Sequence, residues 1–394
     1  MKSVAIVAAR RTPQGKFLGA LAKYSATQLA VHAGNAALQD LSPAGNASVA
    51  IDLIECIDEV IVGNVLSAGL GMNIARQIAV GLKLPIASDS LTINMMCASG
   101  LKAIMLGCDA VRLGRARMVL CGGTESMSQA PYLLPRVRSG LKLGDAVCVD
   151  SILSDGLVDA FDHQHMGVSA ERLARDYSVT RIEQDNFALQ SQQRYQVACD
   201  AGMFDRELVN VGELKNDEHP RADTSLLSLG KLNPAFDPTG TITAGNASGL
   251  NDGAAMVLVC DSDFAKQRGL EILAIVEDYA AVGCDPARMG LGPIYATRKL
   301  LKGLSIGIEQ CDTVELNEAF ASQALACLRE LPILPERVNP DGGSIALGHP
   351  IGASGARLVV HLAHRIASAR TRRGLATLCV GGGMGAAMTL IQAS

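Results

Sequence analysis

Two cysteines, a histidine and an asparagine stand in local settings where each can do chemistry. Cys97 lies within SLTINMMCASGLKAIMLGCDAVRL, Ser90 to Leu113; Leu91, Ile93 and Met95 alternate as a strand face, and Leu101, Ile104, Met105 and Cys108 recur at helical spacing. The cysteine therefore falls at a helix N-terminus, where unpaired N–H groups and the positive end of the dipole favour thiolate over thiol. That is the setting of a nucleophile, although for one cysteine among eleven, taken alone, a buried structural role is the better reading until partners are found elsewhere. Ala98, Ser99 and Gly100 are small enough to let a substrate reach the backbone there.

Three later segments offer partners. In ELNEAF, Asn317 sits at a strand-to-helix junction, where its amide can hold a water, donate to an anion, or simply cap the helix. In GHPIG, His349 occupies a loop stiffened by Pro350, suited to a general acid or base or to an ordinary loop histidine. In LCVGGGMG, Cys379 precedes three glycines whose N–H groups can form an oxyanion hole or merely a tight turn. No Lys-Ser/Thr follows the glycines, and Gly69-Leu-Gly71 lacks the third glycine of a dinucleotide fingerprint. Nucleotide reduction chemistry is disfavoured.

The elements that must position these residues alternate between strand and helix patterns. Strands are expected near Ser3–Ala8 and Glu59–Val62 and a helix near Ala26–Leu38, which favours a mostly parallel, helix-covered sheet. From Gly122 to about Gly240 the chain is richer in charge, proline and irregular segments, with helices near Ala170–Arg175 and Ile182–Ala198, and reads as an insertion. The strand and helix alternation resumes at Ile272. The segment MCASGLKAIMLGCDAVRLGRARMVLCGGTESM also matches PIGASGARLVVHLAHRIASARTRRGLATLCVGGGMG in order, spacing and element type. That match predicts an internal duplication, with Cys97 opposite Gly352 and Cys121 opposite Cys379.

Composition bounds the rest. With 394 residues, 48% apolar, 40 glycines, no tryptophan, six tyrosines and seven phenylalanines, the chain reads as a globular α/β protein packed through small residues. A net charge of −4 argues against nucleic acid as a partner, and Arg365, Arg370, Arg372 and Arg373 read as a solvated helix end. The eleven cysteines include no C-x-x-C, so neither a disulfide framework nor a zinc ribbon is indicated, and no third ligand accompanies His163 and His165. VAIVAA is too short for a signal peptide, no run is long enough for a membrane span, and the terminal IQAS is no peroxisomal address. A cytoplasmic location is expected.

NMMCASGLKA at Cys97, NASGLNDGAA from Asn246 to Ala255, NEAF at Asn317, GHPIGASGAR at His349 and LCVGGGMG at Cys379 together resemble the thiolase family, in order and at family spacing. The resemblance implies two duplicated α/β halves stacked as five layers, αβαβα. Residues 1–121 plus about 245–270 would form the N-terminal half, 122–244 a loop domain that binds coenzyme A, and 271–394 the C-terminal half.

The chemistry implied is a reversible Claisen condensation of two acetyl-CoA to acetoacetyl-CoA and CoA. Cys97 resembles the nucleophile that takes the acyl group, His349 the proton acceptor and donor, and Cys379 the base at the α-carbon. Two oxyanion sites are implied, one from His349 with a water held by Asn317, the other from the N–H groups of Cys97 and Gly381. The family places Arg221, Ser228, Ala244 and Ser248 along the CoA chain, Arg221 reaching a phosphate or the adenine through its planar fork. His165 and Met166 resemble the pair beside the acyl pocket of short-chain members, and Phe236 and Phe320 would narrow that pocket to acetoacetyl. No tightly bound cofactor is expected, CoA being substrate and product, and a homodimer or tetramer is implied. Met95, Met96 and Met384 depart from other branches and leave chain length open. A longer-chain 3-ketoacyl-CoA thiolase is therefore the alternative. A noncatalytic lipid or CoA carrier would not need both cysteines and the histidine, and a ketoacyl synthase would show a second histidine in place of Cys379.

Overall fold

A computed structural model describes residues 2–41 and 47–393. The apolar run near the N-terminus becomes strand β1 (Val4–Arg11), and it is apolar throughout because both of its faces are covered. Val4 and Ile6 point into one core, while Ala5 and Val7 point into another. Helix α1 (Ala26–Gln39) follows, its first turn closed by a capping box between Ser25 and Gln28. Next come β2 (Ile57–Gly63), α2 (Ile74–Gly81), β3 (Asp89–Ile93), α3 (Ser99–Arg112) and β4 (Met118–Ser126). The insertion carries α4 (Met166–Asp176) and α5 (Arg181–Asp200) before β5 (Asn251–Asp261) returns to the sheet. The remaining main elements are β6 (Ala274–Gly283), α6 (Gly292–Leu304), β7 (Thr313–Leu316), α7 (Ala321–Glu330), α8 (Ile351–Ala367), β8 (Arg373–Val380) and β9 (Met384–Ile391).

The main sheet runs β7-β8-β9-β6-β1-β5-β4-β2-β3, with Gly15–Lys16 pairing off this path onto β5. Within it the order β1-β5-β4-β2 repeats as β6-β9-β8-β7, with the same sequence of pairings: antiparallel, antiparallel, parallel. The two sets join edge to edge where Val4–Ile6 lies antiparallel to Ala274–Val276. The expected mostly parallel sheet is thus corrected to a mixed one. In the second set, three glycines turn β8 straight back as β9, and a hairpin can only be antiparallel.

Five layers result. Helices α1 and α2 cover the outer face of the first set, α6 covers the outer face of the second, and α3 and α8 lie between the two sets, touching strands of both. The alternation of strand side chains explains this: Met256, Leu258 and Cys260 face the outer core beside α1, while Val257 and Val259 face the middle layer with Leu101, Ile104, Leu358 and Leu362. The middle helices approach through glycine. A Cβ on Gly100 would stand 2.9 Å from the Cβ of Ala356, and one on Gly355 would stand 2.8 Å from the Cβ of Leu101. These are the two matching A-S-G segments of the sequence.

Candidate active site

The chain reaches Cys97 through a strained turn. β3 ends at Ile93, Met96 takes a left-handed φ of 48°, and α3 begins only at Ser99. Asn94 Oδ1 accepts from the Met96 N–H at 2.9 Å, and Ser99 Oγ accepts from the Met95 N–H at 2.9 Å while donating to Met96 O at 2.6 Å. These bonds hold the turn against its strain. β3 lies at the edge of the sheet, which leaves Leu91 half exposed rather than in a core.

The expected thiolate at Cys97 is corrected. The N–H groups of Ala98 and Ser99 are taken by Met95 O and Met96 O, so the helix start has few free donors to offer the sulfur. Burial pushes the thiol up to about 11, and the Glu125 carboxylate adds to the rise, opposed by the N–H groups of Gly381 and of Cys97 itself. Cys97 therefore rests as a thiol. Cys379 is likewise held well up, by burial and by Cys97 beside it.

His349 follows Gly348, whose φ of 101° only glycine adopts readily. The His349 N–H donates to Asn251 Oδ1 at 2.9 Å, and the Asn251 amide donates to Gly15 O at 2.8 Å. Burial, followed by the nearby Arg357 guanidinium, lowers His349 to about 3, so the ring is neutral. Asn317 directly follows β7 and is fully buried, its backbone N–H on Thr377 O at 3.0 Å and its Nδ2 3.5 Å from His349 Nε2. Its role is not that of a helix cap.

One cavity of about 660 Å³ gathers most of the predicted residues. Cys97, His349 and Cys379 share its wall with His165, Met166, Phe236, Phe320, Ala244, Ser248 and Arg221. His165 stacks on Phe236 with centroids 4.6 Å apart, and Phe236 meets Phe320 edge-on at 5.9 Å. The Gly167 N–H donates to His165 Nδ1 at 3.0 Å, which caps α4 and fixes the ring, and burial lowers its pKa. The NEAF segment is tied to NASG: the Ser248 N–H and hydroxyl both donate to Ala319 O at 3.0 Å, and the Ala321 N–H donates to Asn246 O at 2.9 Å.

Three predicted residues lie off that wall. Asn317 stands behind His349, and Gly381 behind Met166, whose Cε would be 2.3 Å from an added Cβ. Ser228 stands apart, exposed on the five-residue helix Leu226–Gly230, where its N–H bonds to Ser225 in a capping box and its hydroxyl donates to Ser225 O at 2.8 Å. A capping sequence, S-L-L-S, carried that signal.

The sequence reading passed over several supporting residues. His219 is on the cavity wall, lowered to about 4 by burial and by Arg221 and Lys16, and 3.2 Å from the Asn251 amide. Glu125 lies fully buried at the end of β4, accepting from the N–H groups of Val65, Leu66 and Gly352 and from the Asn64 amide. Burial pushes its carboxyl up to about 7 against those four donors. A lone acid closing the apolar strand MVLCGGTES was its visible signal. Among the described residues, no three His, Cys, Asp or Glu side chains are grouped to hold a metal.

Known proteins agree with this architecture. The pattern described as "Thiolase, N-terminal domain" matches residues 4–263 and "Thiolase, C-terminal domain" matches residues 270–392. The acetyl-CoA acetyltransferase of Pseudomonas aeruginosa is 48% identical over the full length of both chains. Human mitochondrial 3-ketoacyl-CoA thiolase, solved in complex with CoA, is 41% identical with a TM-score of 0.94, covering 100% of this chain and 98% of that one. The acetyl-CoA acetyltransferase of Bacillus anthracis is 39% identical with a TM-score of 0.93, covering 99% of each chain. With both family patterns spanning nearly all of it and a relative 48% identical along its whole length, the chain belongs to the thiolase family.

Proposed function

We propose that this chain is an acetyl-CoA C-acetyltransferase that joins two acetyl-CoA into acetoacetyl-CoA and CoA, reversibly, through an acetyl group on Cys97. The observation that carries this reading is the shared wall of Cys97, His349 and Cys379 in one cavity. Cys97 is a thiol at rest, so its proton must move as the sulfur attacks the thioester carbon. The neutral His349 takes it and, being lowered by burial, passes it to the departing CoA sulfur rather than keeping it. The N–H groups of Cys97 and Gly381 are the donors for the oxyanion that forms on the carbonyl oxygen of the acyl group as Cys97 is acylated.

The second half-reaction needs Cys379 as a thiolate. In the resting protein burial opposes that charge. Cys379 therefore gives up its own thiol proton to solvent before it can act as the base. Cys379 then takes a proton from the α-carbon of a second acetyl-CoA, and the enolate, held by His349 and an Asn317-bound water, attacks the acetyl carbon. As the new carbon–carbon bond forms, the Cys97 sulfur leaves and the proton on Cys379 is returned to it. Arg221, Ala244 and Ser248 are assigned to the CoA chain, and residues 122–244 act as its binding region.

Met166, Phe236 and Phe320 support the short-chain reading by crowding the wall beside Cys379. A second reading, a 3-ketoacyl-CoA thiolase for longer chains, draws on the apolar extension of the cavity past Ile152, Leu153 and Leu157. A cytoplasmic dimer or tetramer goes with either, and light scattering measures the assembly. The deciding experiment incubates the protein with acetyl-CoA and weighs the Cys97 peptide. An added acetyl group is expected, and its absence refutes the reading. Faster thiolysis of acetoacetyl-CoA than of six- to ten-carbon ketoacyl-CoA favours the acetyltransferase, and the reverse favours the thiolase of longer chains.

A further inference from the structure

His219 lies on the wall of the cavity that holds Cys97, only 9% exposed, and takes no part in the chemistry assigned above. Its ring is clamped on two sides. A Cβ on Gly249 would stand 2.2 Å from His219 Cε1, so the glycine of the NASG turn makes room for the imidazole. Behind the ring, Asn251 Oδ1 accepts from the His349 backbone N–H at 2.9 Å, and the amide nitrogen donates to Gly15 O at 2.8 Å. These two backbone groups fix which end of the amide is which. The same nitrogen lies 3.2 Å from His219 Nδ1. An amide nitrogen only donates, so Nδ1 presents a lone pair, and in a neutral ring the hydrogen is then on Nε2. Burial, then Arg221 and Lys16, hold the ring neutral. Among the described residues nothing bonds to Nε2, and that atom is not sealed from the cavity.

We infer that His219 is a substrate-binding residue whose Nε2–H donates to an amide carbonyl of the uncharged arm that joins the thioester to the phosphates of CoA. The class of ligand follows from what the neighbouring groups offer. Lys16 and Arg221 share this wall and suit charged oxygens, whereas a neutral N–H suits an uncharged carbonyl. Ser248 is not the donor on this stretch, because its N–H and its hydroxyl are both given to Ala319 O. His219 is. Asn251 also places the contact along the substrate: the amide that fixes the His219 ring holds the backbone of His349, so a group bound at Nε2 lies one side chain away from the reacting centre.

This rests on the reading of the chain as an acetyl-CoA acetyltransferase, and the test separates the two. Acetylation of Cys97 is timed by mass spectrometry with acetyl-CoA, with S-acetyl-pantetheine, which keeps the arm without the nucleotide, and with S-ethyl thioacetate, which has no amide. His219→Asn keeps an acceptor for Asn251 near the Nδ1 position and deletes Nε2–H, while the longer His219→Gln carries an amide donor out to the Nε2 position. His219→Asn is expected to lower the second-order rate about tenfold with both amide-bearing thioesters and to leave S-ethyl thioacetate unchanged; His219→Gln is expected to recover most of the loss. Equal slowing with all three thioesters, slowing with acetyl-CoA alone, no slowing with either amide-bearing thioester, or no recovery in His219→Gln overturns the inference. If the wild-type protein is acetylated by none of the three, the acetyltransferase reading falls instead, and calorimetric binding of CoA judges His219: a Kd unchanged in His219→Asn refutes its role, and a weaker one upholds it.

Discussion

Ser344 Oγ donates to Asn317 Oδ1 at 2.6 Å and is itself approached by Arg357 Nη2 at 3.2 Å. Because the guanidinium can only donate, the serine hydrogen is free to go to Asn317, and the amide is left with its nitrogen towards His349. Ser344→Ala removes this constraint and lets the amide rotate. A loss of roughly tenfold in kcat is expected, against roughly 10²-fold for Asn317→Ala, which deletes the donor altogether. Steady-state rates with acetyl-CoA binding unchanged would bear out the difference.

The two cysteines should fail differently. Cys97→Ala abolishes both acyl transfer and turnover. Cys379→Ser should still let Cys97 acquire an acetyl group from acetyl-CoA at close to the normal rate, yet slow condensation by roughly 10²-fold or more, since a hydroxyl ionises far less readily than a thiol. Single-turnover acetylation and condensation, measured separately, distinguish the roles; equal losses in both steps would contradict the assignment.

A buried charge cluster couples stability to pH. His361 lies between Glu207 and Asp341, its nitrogens 3.0 and 3.1 Å from their oxygens, while Arg11 binds Glu207 and Asp217. Burial opposes the charge on His361, but the two carboxylates win and push it up to about 10, from an ordinary 6.5. A raised histidine stabilises fully below its unfolded pKa, and the benefit disappears as pH rises through the folded value. The urea midpoint should therefore fall between about pH 7 and pH 10, by an amount corresponding to roughly 1–3 kcal/mol. His361→Gln should lower stability at pH 7 and flatten this slope.

Gly352 allows no side chain. A Cβ there would lie 2.7 Å from Glu125 Oε2 and 2.8 Å from Thr124 O, and the Gly352 N–H donates to that same carboxylate at 3.0 Å. Gly352→Ala is expected to cost roughly 1–3 kcal/mol, read as a lower urea midpoint. It should also reduce activity, because the strained contact begins three residues after His349.

Cys97, His349 and Cys379, which line one cavity, could be picked out in the sequence because each lies in a short segment with its own pattern: an alternating run before Cys97, glycine and proline around His349, three glycines after Cys379. The matched A-S-G helices were legible too, and the repeated strand order accounts for them. What stayed hidden depends on contacts distant in sequence. The resting state of Cys97 is decided by burial and by Glu125, 28 positions away, and neither is visible in the helix pattern that suggested a thiolate. The sheet's direction was misread because strand and helix alternation does not say that β5 and β9 run back antiparallel. Ser228 was named from its family position, and the structure adds that its hydroxyl also takes part in a capping box with Ser225.

The glycine crossing of α3 and α8 brings backbone against side-chain stems along the middle of the molecule. Such a seam has no slack for a scissor motion, so each catalytic turn must be timed by thioesters arriving and leaving rather than by one half swinging away from the other. Heating should meet the same constraint: loosening either half strips the other of its inner wall, and the whole body should melt in a single step.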